Sequence, residues 1–255
     1  MKPLLNLSLT KKITLAGIII ANVIILNKVL AINYIAFIPF VRISFGSIAL
    51  IAFTSIGLGP IFGFICGALA DVLGYFMFDA SSFALMPQIT AIYALLGVVP
   101  YFLYRLVVMI KNEKTLQIIE YSGLLVAFIA LLVFLLTNNE LTLYGKTHAL
   151  DIIQKVVILV VSILPIALVV TLTYFINKKI KDNKMLNATQ VVFVIFFSEF
   201  LVMFLFGSLM KAWAFGMQMF LPILISQAVI MFFDVTFNSY LLYLILRVSE
   251  SALVK

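Results

Sequence analysis

Eight apolar stretches take up most of this chain, at residues 13–33, 43–58, 60–78, 87–110, 116–137, 153–176, 188–210 and 220–246. A membrane-spanning helix needs about 20 mostly apolar residues, so stretches of this length read as spans. The composition agrees, with 65% hydrophobic and 11% charged residues and a mean hydropathy of +1.24. A soluble domain carries about 45–50% apolar and about 25% charged residues. The expectation is an all-α integral membrane protein of about eight spans. The second stretch is short and meets the third through Gly57-Leu-Gly-Pro60. Glycines followed by proline stop one helix and start another, giving either two short helices or one broken helix packed against protein.

The basic residues sit in short connections rather than in a patch, which argues against nucleic acid and for an orientation signal. Lys2, Lys11 and Lys12 precede the first span; Arg105, Lys111 and Lys114 follow the fourth; Lys178, Lys179, Lys181 and Lys184 follow the sixth; Arg247 and Lys255 come last. Eight spans place all of these on one side, against Lys28, Arg42, Lys146, Lys155 and Lys211 on the other. The positive-inside rule then predicts a multi-pass cell-membrane protein with both termini in the cytoplasm. Lys11-Lys12 before an apolar run resembles the start of a signal peptide, but no small-residue cleavage site follows, so the first helix is read as retained. Cys66 and His148 are the only residues of their kinds, which leaves no internal disulfide and no thiolate or multi-histidine metal site. There is no P-loop, no internal repeat and no signature of a cofactor.

Several polar or small residues break the apolar pattern. Gly17 and Ala21 form a small-xxx-small step, suited to internal packing or to docking a partner helix. Gly63, Gly67, Ala70 and Gly74 form a stripe at helical spacing, and Asp71 falls beside it, facing protein or a cavity. Asp71, Glu199 and Asp234 have two readings, as buried groups satisfied by partners or as ion-coupling residues. Asp234 and Asn238 share a helical face suited to a buried polar contact. Arg42 is either a headgroup anchor or a fork for a carboxylate. The connection from Asp79 to Gln88 has the makings of a cap over a cavity. Trp213 is either an interfacial belt residue or a platform for a flat ring.

Taken in order, these pieces resemble the substrate-binding S components of energy-coupling factor vitamin transporters, the folate-specific ones in particular. That group typically reads R-I-S-F-G, a small-residue run ending G-P, A-L-A-D-L-x-G, and P-G-F-T. Here the matching residues are Arg42-Ile-Ser-Phe-Gly46, Gly59-Pro60, Ala68-Leu-Ala-Asp-Val-Leu-Gly74 and Pro87-Gln-Ile-Thr90. Gly17/Ala21 is similar to the coupling step on the family's first helix, and Trp213 to a tryptophan before its last. The resemblance covers residues 13–110 closely and 188–246 loosely. It implies a subunit that captures a vitamin outside the cell and works with a transmembrane coupling subunit and two ATPase subunits.

Family members usually have six spans, so the surplus reads as an inserted helical hairpin at 116–184, between core helices in 1–115 and 185–255. Gln88 replaces the family's glycine, and Met210-Lys211 stands where an asparagine-threonine pair is common. For a folate, a flat ring on a dicarboxylate tail, Trp213 and Phe45 would stack the ring. Arg42 and Lys211 would hold the tail, and Ser44, Gln88 and Thr90 would supply polar contacts. The competing readings are an S component for riboflavin or another vitamin, a self-sufficient ion-coupled transporter, an intramembrane transferase and a purely structural membrane protein. Scattered carboxylates disfavour the transferase, so no enzymatic activity is expected.

Overall fold

A computed structural model describes residues 5, 7–31, 43–81, 84–110, 112–138, 140–143, 146–179 and 186–253. Each of the eight apolar stretches is helical, and the protein is an all-α integral membrane protein by architecture. The helices are α1 (Leu9–Ile24), α2 (Ser47–Leu58), α3 (Pro60–Gly74), α4 (Pro87–Leu96), α5 (Val99–Met109), α6 (Glu113–Thr137), α7 (Ile152–Lys179), α8 (Ala188–Ser198), α9 (Gly207–Phe215) and α10 (Phe220–Leu253). Seven runs are long and apolar enough to cross a membrane. The eighth, α2, has 12 residues and is buried along almost its whole length. At about 1.5 Å per residue it is too short to span, and only a helix enclosed by protein tolerates that in lipid.

Glycine chemistry sets the α2–α3 reversal. Gly59 has φ 111°, a left-handed backbone that side chains disfavour, and Pro60 follows at the first position of α3. The two helices fold back on each other closely enough that a Cβ on Gly63 would lie 2.8 Å from that of Ser55. The run Pro60–Asp79 has 20 residues against 12 in α2. The start of α2 therefore stops about 10 Å short of the level that Asp79 reaches.

Helices α3 and α4 approach through glycine. A Cβ on Gly63 would meet the Gly97 carbonyl oxygen at 1.9 Å, and one on Gly67 the Tyr93 carbonyl oxygen at 2.0 Å. The small-residue stripe is thus a backbone-on-backbone seam, the arrangement that drives helix association where lipid removes the hydrophobic incentive.

Three stretches carry an extra residue per turn: Ile25–Val29 after α1, Tyr75–Asp79 after α3, and Glu199–Phe206 between α8 and α9. Such π-helical insertions leave no periodic signature in sequence and are frequent at functional sites. The fourth apolar stretch is also interrupted, by a turn at Gly97–Val98 before Pro100.

Helices α6 and α7 form the hairpin, joined by a feature the sequence reading omitted. Two short strands, β1 (Glu140–Leu143) and β2 (Lys146–Ala149), pair antiparallel, with Glu140 opposite Ala149. The helical pair leans on α8 and α10. Thr236 of α10 donates to the Pro165 carbonyl of α7 at 2.9 Å, and Gln117 of α6 and Asn177 of α7 both donate to Thr189 of α8. The start of α8 is fixed by a capping box, in which the Asn187 side chain accepts from the Gln190 N–H and the Gln190 side chain from that of Asn187.

Glu120, on the same face of α6, is fully buried, and neither carboxylate oxygen has a hydrogen-bond partner among the described residues. An unmade buried polar contact costs about 1–3 kcal/mol. Glu120→Leu is expected to raise thermal stability by an amount of that order, read as a higher unfolding temperature in detergent. A lower temperature would mean that Glu120 is held by a partner.

Candidate functional site

Polar side chains form two sets of contacts towards one end of the bundle, where α1 and α3 finish, α2 and α4 begin, α9 finishes and α10 begins. The three π-helical stretches supply several of them. Lys28, in the stretch after α1, forms an ion pair with Asp79, in the stretch after α3. The lysine side chain is 5% exposed and its stem lies across Gly74. Asn27, beside it, donates to the Tyr93 hydroxyl of α4 at 3.0 Å. One turn nearer the start of α4, Thr90 donates to the Asp71 carboxylate of α3 at 2.7 Å. These bonds stitch α1, α3 and α4 together above the glycine seam. Asp71 is therefore buried, facing protein beside the stripe, and hydrogen bonded.

The segment leading into α2 supplies the second half. Gly46 turns the chain with φ 96°, and a Cβ there would meet Leu241 of α10 at 2.3 Å. The Ser47 hydroxyl donates to that of Ser44 at 2.7 Å, and the Ser44 backbone is hydrogen bonded to the Asp234 carboxylate of α10. Asn238, one turn along α10, accepts from the Ala49 N–H at 3.0 Å and donates to the Asp234 backbone carbonyl at 2.8 Å. Asp234 and Asn238 do share a buried face. Their side chains, however, serve the start of α2 and the helix's own backbone rather than each other. Phe45 packs edge-on against Phe237 of α10, with ring centroids 4.9 Å apart.

Glu199 opens the third π-helical stretch near the middle of the run Ala188–Phe215, and Asp234 lies near the middle of Met217–Ser249. Both are 1% exposed, within electrostatic reach of each other and of Lys211. Each keeps a buried carboxylate oxygen, Glu199 Oε1 and Asp234 Oδ1, with no hydrogen-bond partner. Lys211 of α9 donates to Gln227 of α10 at 2.9 Å.

The sequence-predicted residues thus fall into separate groups. Ser44, Thr90 and Lys211 belong to the polar network, and Phe45 borders it. Gln88 is half-buried at the first turn of α4. Trp213 is 65% exposed, on the outer surface of α9, and not paired with Phe45 in the described structure. Arg42 lies outside the described residues. Asn27, Tyr93 and Gln227 were missed, being single polar residues inside apolar runs; the Lys28–Asp79 pairing joins residues 51 positions apart, beyond any sequence periodicity.

Gly17 and Ala21 face away from this network. Both are exposed, and a Cβ on Gly17 would meet nothing within 4 Å. Thr14, Ile18 and Asn22 share that surface of α1. The Asn22 amide donates back to the Ile18 carbonyl at 2.8 Å. No group of three or more His, Cys, Asp or Glu side chains with metal-binding geometry occurs among the described residues. Comparison with family models, curated proteins and solved structures finds no match.

Proposed function

We propose that this chain is the substrate-capture subunit of an ATP-driven importer for a folate-type vitamin. In this reading it binds the vitamin on the extracellular side and hands it inward with a transmembrane coupling subunit and two ATPase subunits. The observation that carries the reading is the placement of two sets of polar contacts towards one end of an otherwise apolar bundle, in the same segments whose motifs resemble folate-specific S components. Polar groups cost free energy inside a bilayer and cluster where a solute or partner meets them. The basic connections support a cytoplasmic position for the opposite end and both chain termini. The bilayer is the remaining partner.

The exposed Gly17/Ala21 step supports a coupling role for α1. Among the described residues a Cβ on Gly17 meets nothing, and in lipid a shallow surface of small residues admits a second helix backbone. In this reading Arg42 and Lys211 are the cations for the ligand's carboxylates, Ser44, Gln88 and Thr90 its polar contacts, and Phe45 its ring contact, while the exposed Trp213 reaches the ligand only if α9 turns that face towards it. Arg42→Ala is expected to weaken folate binding by about 2 kcal/mol, or thirtyfold, the scale of a lost charge-assisted hydrogen bond. Unchanged affinity would remove Arg42 from the site.

A self-sufficient ion-coupled transporter is the second reading, favoured by two buried carboxylates near mid-span, Glu199 and Asp234. Liposomes holding this chain alone separate the two. Capture predicts binding without accumulation, whereas ion coupling predicts uptake driven by an imposed gradient.

A further inference from the structure

Lys28 places a positive charge where protein leaves it almost no contact with solvent. Its side chain is 5% exposed, its stem lies across Gly74, and its ammonium is ion-paired with Asp79. The Asp79 side chain is 30% exposed, so the carboxylate is the accessible half of the pair. Beyond it the chain turns through the exposed Ala80 and Ser81.

The elements around Lys28 bring one other acid. Helices α1 and α4 carry no Asp or Glu. Helix α3 and its π-helical extension Tyr75–Asp79 carry Asp71 and Asp79, and Asp71 accepts from Thr90. Asn27, next to Lys28, donates to the Tyr93 hydroxyl. An ammonium withdrawn from water without an anion is expensive, so Lys28 requires a negative partner. Any carboxylate that reaches it meets that requirement. Exchanging Asp79 for a second carboxylate leaves the buried charge unchanged, and the displaced Asp79 is already at the edge of solvent. A neutral group cannot make the exchange.

We infer that Lys28 is a carboxylate-binding residue, and that Asp79 occupies it in the ligand's place until an anionic ligand displaces it. The inference rests on the capture reading and deepens it: Lys28 joins Arg42 and Lys211 as a cation for the ligand, and the substrate class is one that carries a carboxylate. The exchange is ionic, so no covalent bond is made or broken and no proton moves. Asp79 is then a competitor for the ligand as well as a partner for Lys28, which an ion pair of purely structural use would not be.

The test compares folate with its bis-amide, in which both tail carboxylates are capped, by calorimetry on the full-length purified chain. Asp79→Asn removes the competing charge and keeps the shape. Folate affinity should rise about tenfold, the low end of what a hydrogen bond to a charged group contributes, while bis-amide affinity stays within about twofold. Adding Lys28→Met to Asp79→Asn should cancel the gain, because the gain passes through that lysine. Carbodiimide-driven amidation of Asp79 in the wild type, read by mass spectrometry, should rise under saturating folate and not under the bis-amide. That measurement decides the matter where the variants do not fold. Folate affinity in Asp79→Asn at or below that of the wild type, or amidation of Asp79 unchanged by bound folate, overturns the exchange and leaves capture standing. No folate binding by the folded wild type overturns the capture reading, and the role of Lys28 with it.

Discussion

Gly67→Leu is expected to abolish the folded bundle. A Cβ at this position would sit 2.0 Å from the Tyr93 carbonyl oxygen, and the obstacle is backbone rather than a movable side chain. Overpacking costs about 1–3 kcal/mol where side chains can give way, and more where two helices must separate. Separation of α3 from α4 also pulls apart Asp71 and Thr90, leaving a carboxylate without its donor inside the bundle. We expect loss of the monodisperse species in size-exclusion chromatography and loss of ligand binding with it. Gly67→Ala should already lower the unfolding temperature. A stable, binding-competent Gly67→Leu protein would contradict the α3–α4 seam.

Gly17→Leu is expected to do the opposite: fold normally, bind normally and fail in transport. Among the described residues nothing lies within 4 Å of the added Cβ, and replacing glycine in a helix is worth up to about 1 kcal/mol of stability. A leucine there would hold a docking helix away from the α1 backbone, where close packing supplies most of the attraction in lipid. With the complete energised complex in liposomes, vitamin uptake should fall by on the order of tenfold or more, while binding by the isolated subunit stays within about twofold. Unimpaired uptake would move the coupling surface elsewhere. The contrast with Gly67 is the informative part, since two glycines of similar appearance in sequence have opposite roles.

That contrast shows what the residues disclose before a structure exists. Apolar length was enough to place the eight helical segments, because lipid imposes a single requirement on all of them. The stop at Gly57-Leu-Gly-Pro60 was legible because glycine and proline act locally. The chain also signals the first strand, where Glu140-Leu-Thr-Leu143 alternates polar and apolar residues, though Lys146-Thr-His-Ala149 does not. The hydropathy of the flanking helices hid that signal.

Other features had no local signal. The π-helical stretches shift the backbone by one residue without altering composition, yet they present Lys28 and Glu199 to the interior and a partly exposed Asp79 to Lys28. Which small-residue stripe faces protein and which faces outward depends on tertiary packing alone, so Gly17 and Gly67 could not be told apart. Within the site, Asp71 was readable because it sits beside glycines. The use of Asn238 for the Ala49 N–H, and not for Asp234's carboxylate, depends on where α2 begins.

Equilibrium binding of folate and 5-formyltetrahydrofolate to the purified chain, with riboflavin as the control and no ATP or partner subunit present, tests the central claim most directly. Capture predicts saturable, folate-selective binding by the isolated subunit. A monodisperse, folded protein that binds neither folate, or that binds riboflavin in their place, would contradict the assignment of this site to a folate-type vitamin.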